Sequence, residues 1–213
     1  MAIRALLHLL VTALVAVTVH AQQCADVYVV FARGSGELPG LGILGTPLVS
    51  ELKKNLPGKS VDSYAVRYLA DIAQTSAGPG ATDMTNQIVK IAAQCPNTAF
   101  VIGGYSQGAS VTDIAIGIRT LLGTGKTIPT ELAPRIKAVV TFGNPLRLFG
   151  QTIERASPLY GSKSIDYCNF GDPVCAAGAN VVAHLTYNTD VPKAAKRAAD
   201  FVLAGAKLRS LRA

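Results

Sequence analysis

Ala99-Phe100-Val101-Ile102-Gly103-Gly104-Tyr105-Ser106-Gln107-Gly108-Ala109 is the stretch that decides how this chain folds. Residues 99–104 form a short apolar run of β-favouring residues, and the residues after Gly108 recur at helical spacing, so the segment reads as strand, turn, helix. The turn fits the pattern Gly-x-Ser-x-Gly. Glycines at 104 and 108 let the strand and helix approach without Cβ collisions, and so sharp a turn strains the backbone at Ser106 and pushes its hydroxyl out at the sheet's edge. Alone, the pentapeptide is what an ordinary βα turn produces by chance; its place between a strand and a helix gives it weight.

Working outward, apolar runs at 26–32, 63–68, 136–142 and, shorter, 164–168 read as further strands, and helical patterns alternate with them. Such alternation is the signature of βαβ units and a mostly parallel sheet, so the expected fold class is α/β, a three-layer α/β/α sandwich around five strands. Met84, Ile88, Ile91 and Cys95 recur at helical spacing, with Thr82 placed to cap the first turn. Val111, Ala115, Ile118 and Leu122 form the stripe of the next helix; Ile114 and Ile116 make its other sides apolar, which predicts burial all round, and Gly123 and Gly125 end it. A last helix starts near Asp190, tolerates Pro192 in its first turn and puts Ala195, Ala198, Ala199 and Val202 on one face. The Gly/Pro-rich segments 34–45 and 78–80 read as loops at strand ends, where open parallel sheets bind their ligands.

The first residues read as an export signal. Arg4 is a short positive region, residues 5–19 are almost wholly apolar, and Val19-His20-Ala21 offers a small-residue cleavage site. An apolar stretch of about 15 residues is short of the ~20 that span a bilayer. The expected organisation is a removed signal at 1–21 and one domain at 22–213, secreted, extracellular or associated with the cell wall. The chain carries a formal charge of +7, of which Arg4 leaves with the signal. The most clustered positive charge lies at the end, from Lys193 through Lys196, Arg197, Lys207 and Arg209 to Arg212, and reads as a solvated helix face with a frayed tail. No nucleic-acid motif accompanies it, so no nucleic-acid partner is expected; nor do coiled-coil heptads appear, and a monomer is expected. Four cysteines, Cys24, Cys95, Cys168 and Cys175, follow the signal; an even count in an exported chain argues for two disulfides, of which three pairings exist, a local Cys168–Cys175 bridge being natural. No close cysteine pair of the zinc-finger type is present.

A serine oxygen is a poor nucleophile until a base takes its proton. His8 and His20 fall within residues 1–21, which leaves His184 as the base for Ser106. The base needs a carboxylate to hold its tautomer and to stabilise the imidazolium. Asp172, in Gly171-Asp172-Pro173 between Cys168 and Cys175, is the choice over Asp166, within a strand, and Asp190, better placed to cap a helix. Ser, then Asp, then His is the α/β-hydrolase order. Acyl transfer also needs N–H donors for the developing oxyanion. The Gln107 N–H is one; the Arg33-Gly34-Ser35-Gly36 loop offers another, although a plain glycine turn accounts for those residues equally well.

Together, the first strand ending in Ala32-Arg33-Gly34-Ser35, then Gly104-Tyr105-Ser106-Gln107-Gly108-Ala109, then Gly171-Asp172-Pro173-Val174-Cys175, then a histidine before a final helix resemble the cutinase family. Phe142-Gly143-Asn144-Pro145 and Ala93-Gln94-Cys95-Pro96 look more like its bacterial carboxylesterases than the fungal plant-cuticle enzymes. The resemblance implies a compact lidless α/β-hydrolase with five parallel strands and a solvent-exposed triad of Ser106, Asp172 and His184. It also implies Ser35 and Gln107 as the oxyanion hole, with the Ser35 hydroxyl available to help. The implied bridges are Cys24–Cys95 and Cys168–Cys175. Hydrolysis of apolar carboxylic esters, lipids or polyesters through an acyl-enzyme follows, without metal or organic cofactor, as does room for transient contact with a lipid or cell-wall surface. The loops around 38–44 and 176–185 are expected to shape the acyl groove. An acetylxylan-type esterase shares this architecture, but the chain has no Trp to serve as a sugar platform. A secreted surface protein that keeps the fold with little turnover is the reading from another class, and an intact triad argues against it.

Overall fold

The computed structural model describes residues 24–210, with side chains to residue 205. The export signal expected at 1–21 and the basic side chains of Lys207, Arg209 and Arg212 lie outside those residues. Five parallel strands, β1 (Val27–Ala32), β2 (Val61–Ala65), β3 (Ala99–Tyr105), β4 (Ile136–Phe142) and β5 (Ser164–Tyr167), form one sheet in the order β2-β1-β3-β4-β5. The chain winds outward from β1 to β2, then crosses back past β1 to β3. The direction of winding therefore reverses between β1 and β3, and at such a switch point the loops leaving the strands part to open a crevice. The loop after β1 carries Ser35; the turn after β3 carries Ser106.

Helices cover both faces. Helices α1 (Gly42–Asn55) and α6 (Val191–Ser210) pack together on one, and α2 (Ala77–Gln94) and α3 (Gln107–Ala115) on the other, with short helices α4 (Ile153–Ala156) and α5 (Val181–Leu185) near the β5 end and after it. All six residues of β1 are buried: Val27, Val29 and Phe31 face α1 and α6, while Tyr28, Val30 and Ala32 face α2 and α3. A strand covered on both faces has no polar side to show, which is why β1 and β3 read as unbroken apolar runs. The last helix is as expected, with Ala195, Ala198, Ala199 and Val202 buried against the sheet. Among the described residues no helix is long and apolar enough to cross a membrane.

Five local expectations are corrected. The strand expected at 63–68 is β2, Val61–Ala65, because beyond Val66 the backbone turns away: the Arg67 N–H donates to Asp83 and the Tyr68 hydroxyl to the Arg33 carbonyl. Thr82 caps no helix. Helix α2 begins five residues earlier, at Ala77, and Thr82 donates back to the Gly78 carbonyl from inside it. Gly78 and Gly80 are therefore helical rather than loop residues; a Cβ on Gly78 would lie 2.1 Å from the Thr124 carbonyl oxygen, so glycine is set there by a crossing chain and not by a turn. Helix α3 ends at Ala115, well before Gly123, because Gly117 takes φ +84 and the Ile118 N–H closes back on the Asp113 carbonyl. Its burial all round is as expected, every residue from Gln107 to Ala115 being buried. Finally, the loop expected at 34–45 gives way at Gly42 to α1, in which Gly45 meets the Phe31 ring where a Cβ would come within 2.6 Å.

Both disulfides are present, Cys24–Cys95 and Cys168–Cys175. The first joins residues 71 apart and ties the entry to β1 to the end of α2; on a chain-entropy basis a closure of that length is worth about 4 kcal/mol at most. The second braces the seven-residue interval that holds Asp172.

Candidate active site

Ser106 is the single residue between the end of β3 and the start of α3, with φ 56° and ψ −120°. A non-glycine residue there costs about 1–3 kcal/mol and persists only where its surroundings demand it. They do. The Ser106 N–H is tied to the Phe142 carbonyl at 2.9 Å, and its own carbonyl accepts from Ala109 at 2.8 Å. A Cβ on Gly104 would lie 2.0 Å from the Gly108 carbonyl oxygen, and one on Gly108 2.0 Å from that of Ala32. The two glycines allow β1, β3 and α3 to meet at distances no side chain tolerates.

His184 arrives on α5, whose start is capped by Asn180 Oδ1 accepting from the Val182 and Ala183 N–H groups. Its Nε2 is 3.0 Å from Ser106 Oγ and its Nδ1 is 2.8 Å from Asp172 Oδ2. With a proton on Nδ1 donated to the carboxylate, the Nε2 lone pair faces the serine hydroxyl, as proton abstraction requires. Asp172 has no solvent exposure; Val174 donates to its Oδ1 at 2.6 Å and the Tyr187 hydroxyl donates to its Oδ2. Neither rival carboxylate bonds to His184. Asp166 pairs with Arg147 at 2.8 Å and accepts from Thr141, and Asp190 lies just ahead of α6, where its carbonyl accepts from Ala194. The arrangement is less open than the resemblance implies: Ser106 is 6% exposed and the His184 side chain 11%, because the Tyr105 and Tyr187 rings pack beside the imidazole.

The loop after β1 is a built structure rather than a loose glycine turn. Glu37 accepts from the Gly34 and Ile43 N–H groups, Arg33 donates to the carbonyls of Glu37, Tyr68 and Leu69, and the Gly36 N–H donates to the Ala70 carbonyl. Those bonds carry Ser35 to the head of α3, where its hydroxyl donates to Gln107 Oε1 at 3.2 Å. The Gln107 N–H is the first of a helix, a donor that helical geometry leaves without an internal partner.

A groove of about 440 Å³, walled by Ile72, Leu122, Pro145, Phe149 and Val174, borders the loop that carries Asp172. Through Leu122, Pro145 and Phe149 it continues into a second hollow of about 270 Å³, which reaches Ser110, one helical turn beyond the nucleophile position. The segments expected to shape the acyl groove, 38–44 and 176–185, line neither of these hollows. Segment 38–44 borders a separate shallow hollow, and Val181, Val182 and Leu185 stand exposed on the surface. Among the described residues no group of three or more His, Cys, Asp or Glu side chains could hold a metal ion.

Residues 23–205 match the family model described as Cutinase. The chain belongs to the cutinase family. A protein named "Cutinase" from Kineococcus radiotolerans is 56% identical over 169 residues, which are 78% of this chain and 58% of that relative's length. Trichoderma reesei cutinase, solved in complex with a C11Y4 phosphonate inhibitor, superposes with a TM-score of 0.69 at 30% identity over 84% of this chain and 77% of its own. An acetyl xylan esterase superposes with a TM-score of 0.70 over 86% of this chain and 99% of its own; at 24% identity this is a likeness of fold alone. These matches make the chain a member of a family of ester hydrolases with the cutinase form of the α/β-hydrolase fold.

Sequence reasoning left Phe142-Gly143-Asn144-Pro145 as a mark of resemblance, yet this turn at the end of β4 backs the imidazole. Gly143 has φ +57, and a Cβ on it would lie 2.7 Å from His184 Cε1 and 2.9 Å from Nδ1. Asn144 accepts from the Leu146 N–H and donates to the fully buried Asp113, whose carboxyl burial holds well above its usual range. The available signal was a glycine directly after a strand on the crevice side. Gly143→Ala is expected to displace the ring and to lower kcat/KM about 100-fold, since an ångström of misplacement at a reacting group is worth that much. Steady-state kinetics beside a thermal melt checks it: an activity within threefold of the parent would show that the ring does not depend on this contact.

Proposed function

We propose that the chain is a serine carboxylic ester hydrolase working through an acyl-enzyme. Ser106 attacks the ester carbonyl, His184 takes the serine proton and returns it to the departing alcohol, and Asp172 holds the imidazole in the required tautomer and stabilises its cation. The Ser35 and Gln107 N–H groups receive the oxyanion, while the Ser35 hydroxyl, bonded to Gln107, fixes the loop to the helix. Water, activated by the same histidine, then releases the acid. The carrying observation is the unbroken line from Ser106 Oγ through the His184 ring to Asp172.

The substrate class we propose is apolar acyl esters, including lipids and polyesters. The groove that borders the Asp172 loop through Pro173 and Val174 is walled mainly by apolar side chains, and Leu38, Ile72, Leu121 and Phe170 stand largely exposed, which suits brief contact with an aggregated lipid or polymer surface. We read the protein as exported and monomeric, its signal removed from one domain at 22–213; the two disulfides are compatible with an oxidising compartment.

A fluorophosphonate probe followed by intact-mass measurement tests the chemistry. One adduct on Ser106 and none on Ser106→Ala is the expected result, and equal labelling of both proteins would overturn the assignment. An acyl series on one chromogenic alcohol then tests the substrate class: acyl chains longer than acetyl should be preferred, whereas a marked acetyl preference would return the acetylxylan-type reading to first place.

A further inference from the structure

We propose that Tyr187 is a positioning residue of this site, its hydroxyl dividing the charge of Asp172 and so setting how firmly that carboxylate holds the protonated His184. The inference rests on the triad reading above and adds to it a residue with no part in the proton path. Tyr187 lies three positions after His184, in the 3-10 turn that follows α5, and is fully buried. Its hydroxyl donates to Asp172 Oδ2, the same oxygen that faces His184 Nδ1. In turn it accepts from the Asn169 N–H at 3.1 Å and lies 3.3 Å from Cys175 Sγ, so it is fixed from the disulfide-braced loop on both sides. The ring stands edge-on to the imidazole, with centroids 6.1 Å apart, and packs against Tyr105 and Phe142.

A carboxylate without solvent must be satisfied by protein donors. Asp172 has three, from Val174, His184 and Tyr187, and two of them share one oxygen. When the histidine takes the serine proton, its cation needs the negative charge on that oxygen; a phenol donating to the same atom draws part of the charge away. Burial and the neighbouring carboxylate push the Tyr187 hydroxyl far above its ordinary titration range, so it remains a donor wherever the enzyme is folded. The other titratable groups facing His184 are Asp172 and Tyr105, with Glu37 behind Tyr105 across Gly34. Tyr105 offers a contrast. Its hydroxyl donates to the His184 carbonyl at 2.8 Å and so holds the backbone while leaving the charge relay alone.

Tyr187→Phe keeps the ring and removes the donor. Without it the full charge of Asp172 bears on the imidazolium, the cation is favoured, and the acid limb of the kcat/KM profile should move to higher pH by about half a unit, with KM little changed. Tyr105→Phe should leave the limb in place. An unmoved limb in Tyr187→Phe overturns the inference whatever the loss of rate, and an equal movement in both variants does so too, since a loosened loop would then be the cause. Where Tyr187→Phe fails to accumulate, site-specific replacement of Tyr187 by a fluorinated tyrosine, a stronger donor, should move the limb to lower pH; no movement overturns the inference. Titration of Ser106 in the parent protein separates this outcome from a failure of the triad reading, which would leave no titratable site at all.

Discussion

Ser106→Ala is expected to lower kcat/KM on an activated ester by about 10⁴-fold or more while the protein stays folded. The loss is large because the alternatives are poor. With the hydroxyl gone, the His184 Nε2 that stood 3.0 Å from Ser106 Oγ could only activate a water, and that water would lack the fixed approach that the turn gives the serine. Stability should respond in the opposite sense. Residue 106 sits at φ 56°, held there by the Phe142 and Ala109 bonds whatever its side chain, so Ser106→Gly should remove strain and raise stability by about 1 kcal/mol, with Ser106→Ala close to the parent. Denaturant melts of the three proteins beside their kinetics check both halves. A residual activity above one hundredth of the parent's in Ser106→Ala would move the nucleophile elsewhere.

The parts of this architecture that could be read ahead of the coordinates are those in which chemistry leaves a local mark. Strands buried on both faces show as apolar runs, so β1, β3 and β4 are located to within a residue or so. Within the site, Ser106 is marked by the two glycines its turn requires, His184 by being the one histidine beyond residue 21, and Asp172 by the cysteines around it. What could not be read depends on partners distant in the chain. Gly78 and Gly80 carry the signal of a loop, yet they lie in α2, and it is Thr124, Val111 and Tyr68 pressing against them that leave no room for a Cβ. Nothing within ten residues of Gly143 announces an imidazole 41 positions later. Tyr187 looks like one more core aromatic until the Asp172 carboxylate is found at its hydroxyl. The apolar groove has the same origin, since its walls come from four separate segments that only the fold brings together.

Asp172→Asn presents the site with a choice between two faults, and either one should lower kcat at neutral pH by about 10⁴-fold. The native carboxylate only accepts, from Val174 at Oδ1 and from His184 and Tyr187 at Oδ2. An amide has one oxygen and one NH₂ to put in those two places. With its oxygen towards His184 and Tyr187, the tautomer survives, but the NH₂ opposes the Val174 N–H at a position that is 2.6 Å in the parent; a buried donor loses its acceptor, at about 1–3 kcal/mol, and the imidazolium loses its counter-charge. With the NH₂ towards His184, Nδ1 becomes the acceptor, the ring proton moves to Nε2, and the atom facing Ser106 Oγ can no longer take a proton. The Tyr187 hydroxyl opposes that second orientation, because it too would meet a donor. The variant should therefore settle in the first, with the histidine correctly protonated yet unable to support the cation. Two measurements check the expected loss: denaturant unfolding should show a loss of about 1–3 kcal/mol, and phosphonylation of Ser106 should slow in step with kcat. A variant as stable as the parent and within tenfold of its activity would remove Asp172 from the site and return the role to a carboxylate not yet in contact with His184.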